Sequence, residues 1–399
     1  MIKRILDKMI RWLLPQPLFI ENITGGFNDL EGRALLYYKT APLNDHSLIE
    51  AYEHTNNWEI NEIVRILNTY GFVVDVVDRA LNNFEPEDKY DLFIGLGAGN
   101  SGKYFSKYSA RMTKAVKVLY AAGPEPRLSD HLVRERYDAF NSRHGLKAPY
   151  MRIIDQVNFT KFLNYTDYIL AIGEYSAFCH KSYQDCGKEI KSFLPSSSPN
   201  LGYRSSWINN RKRNKFLCFA GNGLICKGVD ILIEAFRDLP EMKLVICGPR
   251  EEALFEAYEG ELTGQGNINF EGFVKVNSEQ FNRLCSECAY VILNSASEGC
   301  VTSVTTCMRC GLVPIINKEC GIETDEFGFM IDNTAGLVSG TIDAVKRAAS
   351  ISAEEYSNRV YKTLMDSLKY TQSSFSTTIG KALFEIMQEQ NFIKIKTRR

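Results

Sequence analysis

A chain of 399 residues is too long for one compact core and calls for two domains. Its 45% hydrophobic and 24% charged residues exclude disordered, collagen-like and multi-span membrane classes. With 47 basic against 48 acidic residues there is no overall attraction for nucleic acid, so any anion must be held by a local site.

The N-terminal stretch MIKRILDKMIRWLL sets Ile2, Ile5, Leu6, Met9, Ile10, Leu13 and Leu14 at helical spacing with Lys3, Arg4, Lys8 and Arg11 between them. Charge interrupts every apolar run, which argues against a signal peptide or a membrane span. It reads either as a basic amphipathic helix on an anionic membrane surface, which the basic C-terminal IKIKTRR could join, or as a helix docked on protein. The expected location is cytoplasmic, with peripheral attachment to the membrane's inner face under the first reading.

From Arg33 onward, strand and helix patterns alternate. ALLYYK predicts a strand, INEIVRILNTYGF a helix, and VVDVVD, YDLFIGLG, AVKVLYAAG and DYILAIG further strands, with the helix KYFSKYSARM among them. Between Pro195 and Lys215 the periodicity stops, as expected of an interdomain connection. A second series follows: FLCFAG, KLVICG, INFEGFV, YVILNS and VPIIN as strands, separated by helices, with further helices closing the chain. The expected architecture is two Rossmann-like, doubly wound α/β domains facing across a cleft, residues 1–200 (with 1–30 as helix and lead-in) and 201–374. Residues 375–399 are expected to form a helix and tail that pack back on the first domain.

Ligands of such sheets sit beyond the strands' carboxyl ends. After FLCFAG come Gly221, Asn222, Gly223, Leu224, Ile225, Cys226, Lys227 and Gly228, and then a helix at once. Backbone amides, a helix N-terminus and one mobile cation make an anion site, although a lysine at a helix start can equally be plain surface. After YVILNS come Ser295 to Glu298, and Gly299, Val301, Thr302 and Ser303 lead into a helix. Glu298 could accept hydrogen bonds from sugar hydroxyls while the following amides hold phosphate, or it could merely cap that helix.

These segments together resemble the retaining GT-B glycosyltransferases of the large group 1 family. The blocks FAGNGLICKGVDILIEAF, KLVICGP, NINFEGFV, NSASEG, CMRCGLVPII and GIE follow one another from Phe219 to Glu323. The resemblance places Lys227 on the donor diphosphate and Glu298 near the donor sugar. It implies a donor site that also includes Gly221, Asn222, Gly223, Gly248, Pro249, Ser295, Gly299, Val301, Thr302, Ser303 and Thr306. Asn222 stands where the family has an arginine, and Thr306 where it has a second glutamate. The implied co-substrate is a nucleoside-diphosphate sugar and the acceptor a saccharide or lipid-linked hydroxyl, with no cofactor and no metal. A noncatalytic binding or scaffold subunit and a sugar-nucleotide epimerase are the competing functions.

On the acceptor side, His54, Asn56, Asn57, Trp58 and Glu59 combine polar groups with an aromatic platform, and His54 could orient or deprotonate a hydroxyl; a hydrogen-bonded structural loop reads equally well. Gly97, Asn100, Gly102 and Lys103 form a glycine-rich run that satisfies nucleotide-loop patterns, but Tyr104 replaces the hydroxyl that would hold magnesium, and Glu125 only loosely suits a ribose. A loop lining the acceptor side is the reading adopted. Cys285, Cys288, Cys307 and Cys310 mimic a zinc-ribbon spacing, yet each pair falls in an expected helix, so core thiols are the better account.

Overall fold

The computed structural model describes residues 18–45, 55–81, 83–97, 100–154, 159–324 and 326–392. The expected amphipathic helix, His54 and the IKIKTRR tail lie outside them.

The first sheet comprises β1 (Phe19–Ile23), β2 (Gly32–Tyr38), β3 (Phe72–Asp78), β4 (Leu92–Leu96), β5 (Val116–Ala121), β6 (Tyr168–Ile172) and β7 (Glu189–Phe193), in the order β1-β3-β2-β4-β5-β6-β7. All neighbours are parallel except β1, which pairs antiparallel with β3 at one edge. Its helices are α1 (Thr55–Thr69), α2 (Asn100–Arg111), α3 (Pro126–His144), α4 (Phe159–Leu163) and α5 (Phe178–Ser182).

The second sheet comprises β8 (Lys212–Phe219), β9 (Lys243–Cys247), β10 (Ile268–Gly272), β11 (Cys288–Leu293), β12 (Val313–Ile316) and β13 (Phe329–Met330), all parallel, in the order β10-β9-β8-β11-β12-β13. Its helices are α6 (Val229–Arg237), α7 (Glu252–Thr263), α8 (Glu279–Glu287), α9 (Thr302–Arg309), α10 (Leu337–Ser350) and α11 (Ala353–Ser367). The central strand β11, CAYVIL, is buried at every position, as a strand covered on both faces by helices must be. This strand order reverses direction between β8 and β11, and such a reversal opens a crevice at the strands' carboxyl ends.

α12 (Gln372–Glu389) starts on Thr371, whose hydroxyl accepts from Ser374 N, and returns to the first domain. Phe375 packs edge-on to Trp58 of α1 and Phe193 of β7, and Tyr70 donates to Gly380 O at 3.0 Å.

α3 joins the domains along one side. Arg136 donates to Asn294 O at 2.9 Å, Tyr137 to Glu251 at 2.8 Å, and Arg143 pairs with the buried Asp230 at 2.5 Å. Glu125 is its N-cap, accepting from Leu128 N at 2.7 Å, so this carboxylate serves a helix end and not a ribose.

Two expectations change at element ends. The connection anticipated as far as Lys215 stops earlier, because β8 begins at Lys212 with exposed polar residues before its apolar half. The paired cysteines do not share helices: Cys285 is in α8 and Cys288 opens β11, while Cys310 caps the C-terminus of α9. These four thiols are buried in the core, and among the described residues no group of three or more His, Cys, Asp or Glu side chains is placed to hold a metal. Burial pushes the Cys288 thiol up to about 12.

Candidate functional site

The β8 and β11 loops face one another because their strands are neighbours at the reversal. The β8 loop is wound tightly: Lys227 N donates to Gly223 O and Val229 N to Leu224 O, with Gly223 (φ +83°) and Gly228 (φ +76°) in the left-handed region that glycine adopts without strain. A side chain at Gly228 would sit 2.1 Å from Asn294 O, so the loop is pressed against the end of β11. The β11 loop is pinned from both sides, Ala296 N donating to Cys226 O at 2.8 Å and Glu298 N to Glu319 O at 2.9 Å.

This stitching brings Lys227 Nζ to 2.5 Å from Glu298 Oε1, with both side chains more than nine-tenths buried. A third charge enters from the other domain. Arg152, on the segment after α3, donates Nη1 to Oε1 at 2.6 Å and Nη2 to Oε2 at 3.1 Å, a bidentate pair. Ser295 Oγ adds a bond to Oε1 at 3.2 Å. Burial alone would raise the Glu298 carboxyl, but Lys227 and Arg152 outweigh it and hold it down at about 2. Arg152 has φ +66°, a left-handed conformation uncommon in a residue with a side chain, and its aliphatic stem lies over Gly223, where a Cβ would be 3.1 Å away.

A cavity of about 400 Å³ opens on this pair between the domains. From the second domain it is lined by Gly221, Lys227, the exposed Phe273, Glu298, Gly299, Val301, Thr302, Ser303 and Thr306. From the first domain come Tyr38, Asn56, Glu59 and Tyr120. Ser303 Oγ is buried there with no hydrogen-bond partner among the described residues. The residues opening α9 line the wall, and the first amides of a helix lack intrahelical acceptors, so this end favours an anion. The start of α6 does not line the wall; it is packed on Arg136 and Asn294. Of the two helix N-termini expected to face phosphate, the structure turns one into the cavity.

Other expected residues lie nearby without lining it. Asn222 is exposed, Gly223 lies under Arg152, and Ser295 supports Glu298 from beneath. Gly248 is packed against Leu224 and Ala220, with Pro249 beside it half-buried. Asn56 and Asn57 both accept from Lys39 Nζ, at 2.7 and 2.5 Å, and burial, helped by Arg79, pushes that ammonium down to about 8. Glu59 is buried and accepts from Ser196 N and Oγ, with burial raising its carboxyl. Trp58 is half-buried and does not line this cavity; its ring is edge-on to Phe375 in the α12 contact.

A second space of about 400 Å³ lies on the first-domain side of Glu298 and Gly299, lined by Gly97, Leu119, Pro124, Phe162, Tyr183 and Arg152 among others. The glycines of the nucleotide-like run are there for packing. A Cβ at Gly97 would be 2.2 Å from Leu119, and one at Gly102 would be 2.8 Å from both Gly97 O and Phe162. Asn100 opens α2, and its side chain is outside the described set.

Arg152, Lys39, Tyr38, Tyr120, Phe273 and Lys275 are among the residues of this region that the sequence did not single out. Phe273 lies inside the expected strand INFEGFV and comes just after the observed end of β10 at Gly272, so its place near a strand's carboxyl end was available as a signal; Arg152 stands in an irregular segment that carries none.

Residues 205–339 match the family model described as glycosyl transferases group 1. No curated protein matches. Among solved structures, Anabaena HepE in complex with UDP and glucose is 14% identical, with 90% of this chain and 100% of that one covered and a TM-score of 0.55. Sucrose-phosphate synthase from Thermosynechococcus elongatus is 10% identical over 90% and 100%, TM-score 0.57. WaaG, a glycosyltransferase involved in lipopolysaccharide biosynthesis, is 12% identical over 88% and 99%, TM-score 0.52. The chain therefore has the GT-B fold, and its residues 205–339 are similar to the glycosyl transferases group 1 family.

Proposed function

We propose that this protein is a retaining glycosyltransferase that moves a sugar from a nucleoside-diphosphate sugar to a hydroxyl of a saccharide or lipid-linked acceptor, in the synthesis of a cell-surface polysaccharide or glycoconjugate. The observation that carries the reading is the buried Lys227–Glu298 pair at the strand reversal, opening on a cavity shared by both domains. The group 1 match over these loops and the UDP and glucose held by the HepE neighbour support it.

In this reading Lys227 and the start of α9 stabilise charge that develops on the departing diphosphate, the place where fixed dipoles and cations contribute most to rate. Thr302 and Ser303 contact phosphate, Thr306 stands by the ribose, and Phe273 covers the base. Glu298 turns to the sugar hydroxyls, and Asn56 and Glu59 face the acceptor. No side chain is assigned as a nucleophile.

Incubation with UDP, GDP, ADP, TDP and CDP sugars, followed by thermal shift and by slow donor hydrolysis, tests this. One donor is expected both to stabilise the protein and to be hydrolysed. Stabilisation without turnover on any acceptor extract would favour a scaffold subunit, a reading to which the exposed Asn222 and the uncharged Thr306 lend weight. No stabilisation by any donor would remove the donor site.

A further inference from the structure

The β8 loop offers one cation to the cavity, Lys227, whereas a nucleoside diphosphate brings at least two negative charges. Lys275 lines the cavity as well, and a further cation stands on the other domain, in the adjoining space that meets the cavity at Glu298. Arg152 and Lys227 share the oxygen Glu298 Oε1, at 2.6 and 2.5 Å, so their nitrogens are spaced for neighbouring oxygens of a single diphosphate. Gly223 supplies the bed on which the Arg152 stem lies, and a left-handed backbone aims the side chain at that point.

We propose that Arg152 is a diphosphate-binding residue supplied across the domain cleft, and that Glu298 holds its place, and that of Lys227, until the diphosphate arrives. The proposal rests on the donor reading above. Arrival of the donor exchanges one anion for another on the two cations, so neither cation is left without a negative partner. The exchange releases the Glu298 carboxylate for the sugar hydroxyls. A nucleoside monophosphate lacks the β-phosphate and brings less negative charge to the two cations, so the contact favours di- over monophosphate. Because Arg152 belongs to the first domain and Lys227 to the second, a bound diphosphate also fastens the two domains together.

Calorimetric titration of the full chain with UDP, GDP, ADP, TDP and CDP, and with the matching monophosphates, tests the proposal in wild type, Lys227→Ala, Arg152→Gln and Arg152→Lys. For the base that binds, Arg152→Gln is expected to weaken the diphosphate at least tenfold and the monophosphate less than threefold, with Arg152→Lys in between. Diphosphate affinity within twofold of wild type in Arg152→Gln, alongside a clear loss in Lys227→Ala, would overturn the role of Arg152 while sparing the donor reading. Equal loss of both nucleotides would overturn it as well, since that would be a structural effect. Wild type that binds no diphosphate would sink both. If Arg152→Gln does not fold, Arg152→Lys decides: a selective loss of diphosphate supports the proposal and unchanged binding overturns it.

Discussion

Lys227 and Glu298, both buried, and the more exposed Arg152 form a cluster with two positive charges and one negative, so each side chain depends on the others. Lys227→Ala is expected to lower donor kcat/KM at least about tenfold, roughly 1.4 kcal/mol for one charge-assisted contact, as read by initial rates over a donor series. Glu298→Ala leaves the buried Lys227 without its anion and facing Arg152, a loss of about 3–5 kcal/mol by analogy with broken buried pairs. Its melting temperature should fall and should then rise with added pyrophosphate by more than that of wild type; an equal rise in both proteins would contradict the proposed exchange. For pH, the Glu298 carboxyl lies at about 2 in the folded chain against an ordinary 4.5, so the folded state favours its ionised form. Its contribution is complete above about 4.5 and disappears as pH falls toward 2. Glu298→Gln should therefore flatten the acid limb of the stability curve in that window, as followed by urea unfolding at a series of pH values. Lys227 and Glu298 were legible in the sequence because each stands in the loop after an expected strand, next to a glycine, within the blocks that resemble the group 1 family. Arg152 was not, since a single arginine in an irregular segment acquires its role only when the other domain's loop is folded against it.

Among elements, the short loops at the strand reversal are the least tolerant. Gly228 combines a left-handed backbone with a would-be Cβ at 2.1 Å from Asn294 O. Gly228→Ala is expected to cost about 1–3 kcal/mol from backbone strain, with the close contact adding to it, and to reduce donor affinity as the β8 loop separates from β11. Denaturant midpoints paired with nucleotide titration would show both effects, and a stable variant with normal affinity would contradict this account of the loop. The strands flanking this reversal read clearly as continuous apolar runs, as buried parallel strands do. β1 (FIENI) and β7 (EIKSF) did not, because each lies at an edge of the first sheet and its burial is partial. The packing of Trp58 was hidden for a related reason: the aromatic ring was visible in the sequence, but the helix it packs against lies more than three hundred residues later.

At the scale of the whole molecule, the two domains are joined by the connection before β8, by α3 and by the returning α12. Phe375 on α12 is fully buried against Trp58 and Phe193, so Phe375→Ala should cost about 3–5 kcal/mol. Hydrogen exchange should show the loss in residues 55–69 and 189–193 of the first domain more than in β11 of the second; a uniform loss would mean that the domains unfold as one unit. The overall architecture could be read from strand and helix alternation, whereas the handshake of α3 with α6 and α7 could not, because it depends on pairings such as Arg143–Asp230 that no local pattern announces.

The path of α12 also bears on how the protein is made. Synthesis delivers the first sheet early, at roughly 5–20 residues per second. Yet α1 and β7 are covered by α12, which leaves the ribosome only after the whole second sheet. During the interval the nascent first domain shows water an apolar face around Trp58 and Phe193, which a chaperone can bind, and a chain cut short before Gln372 can never close it.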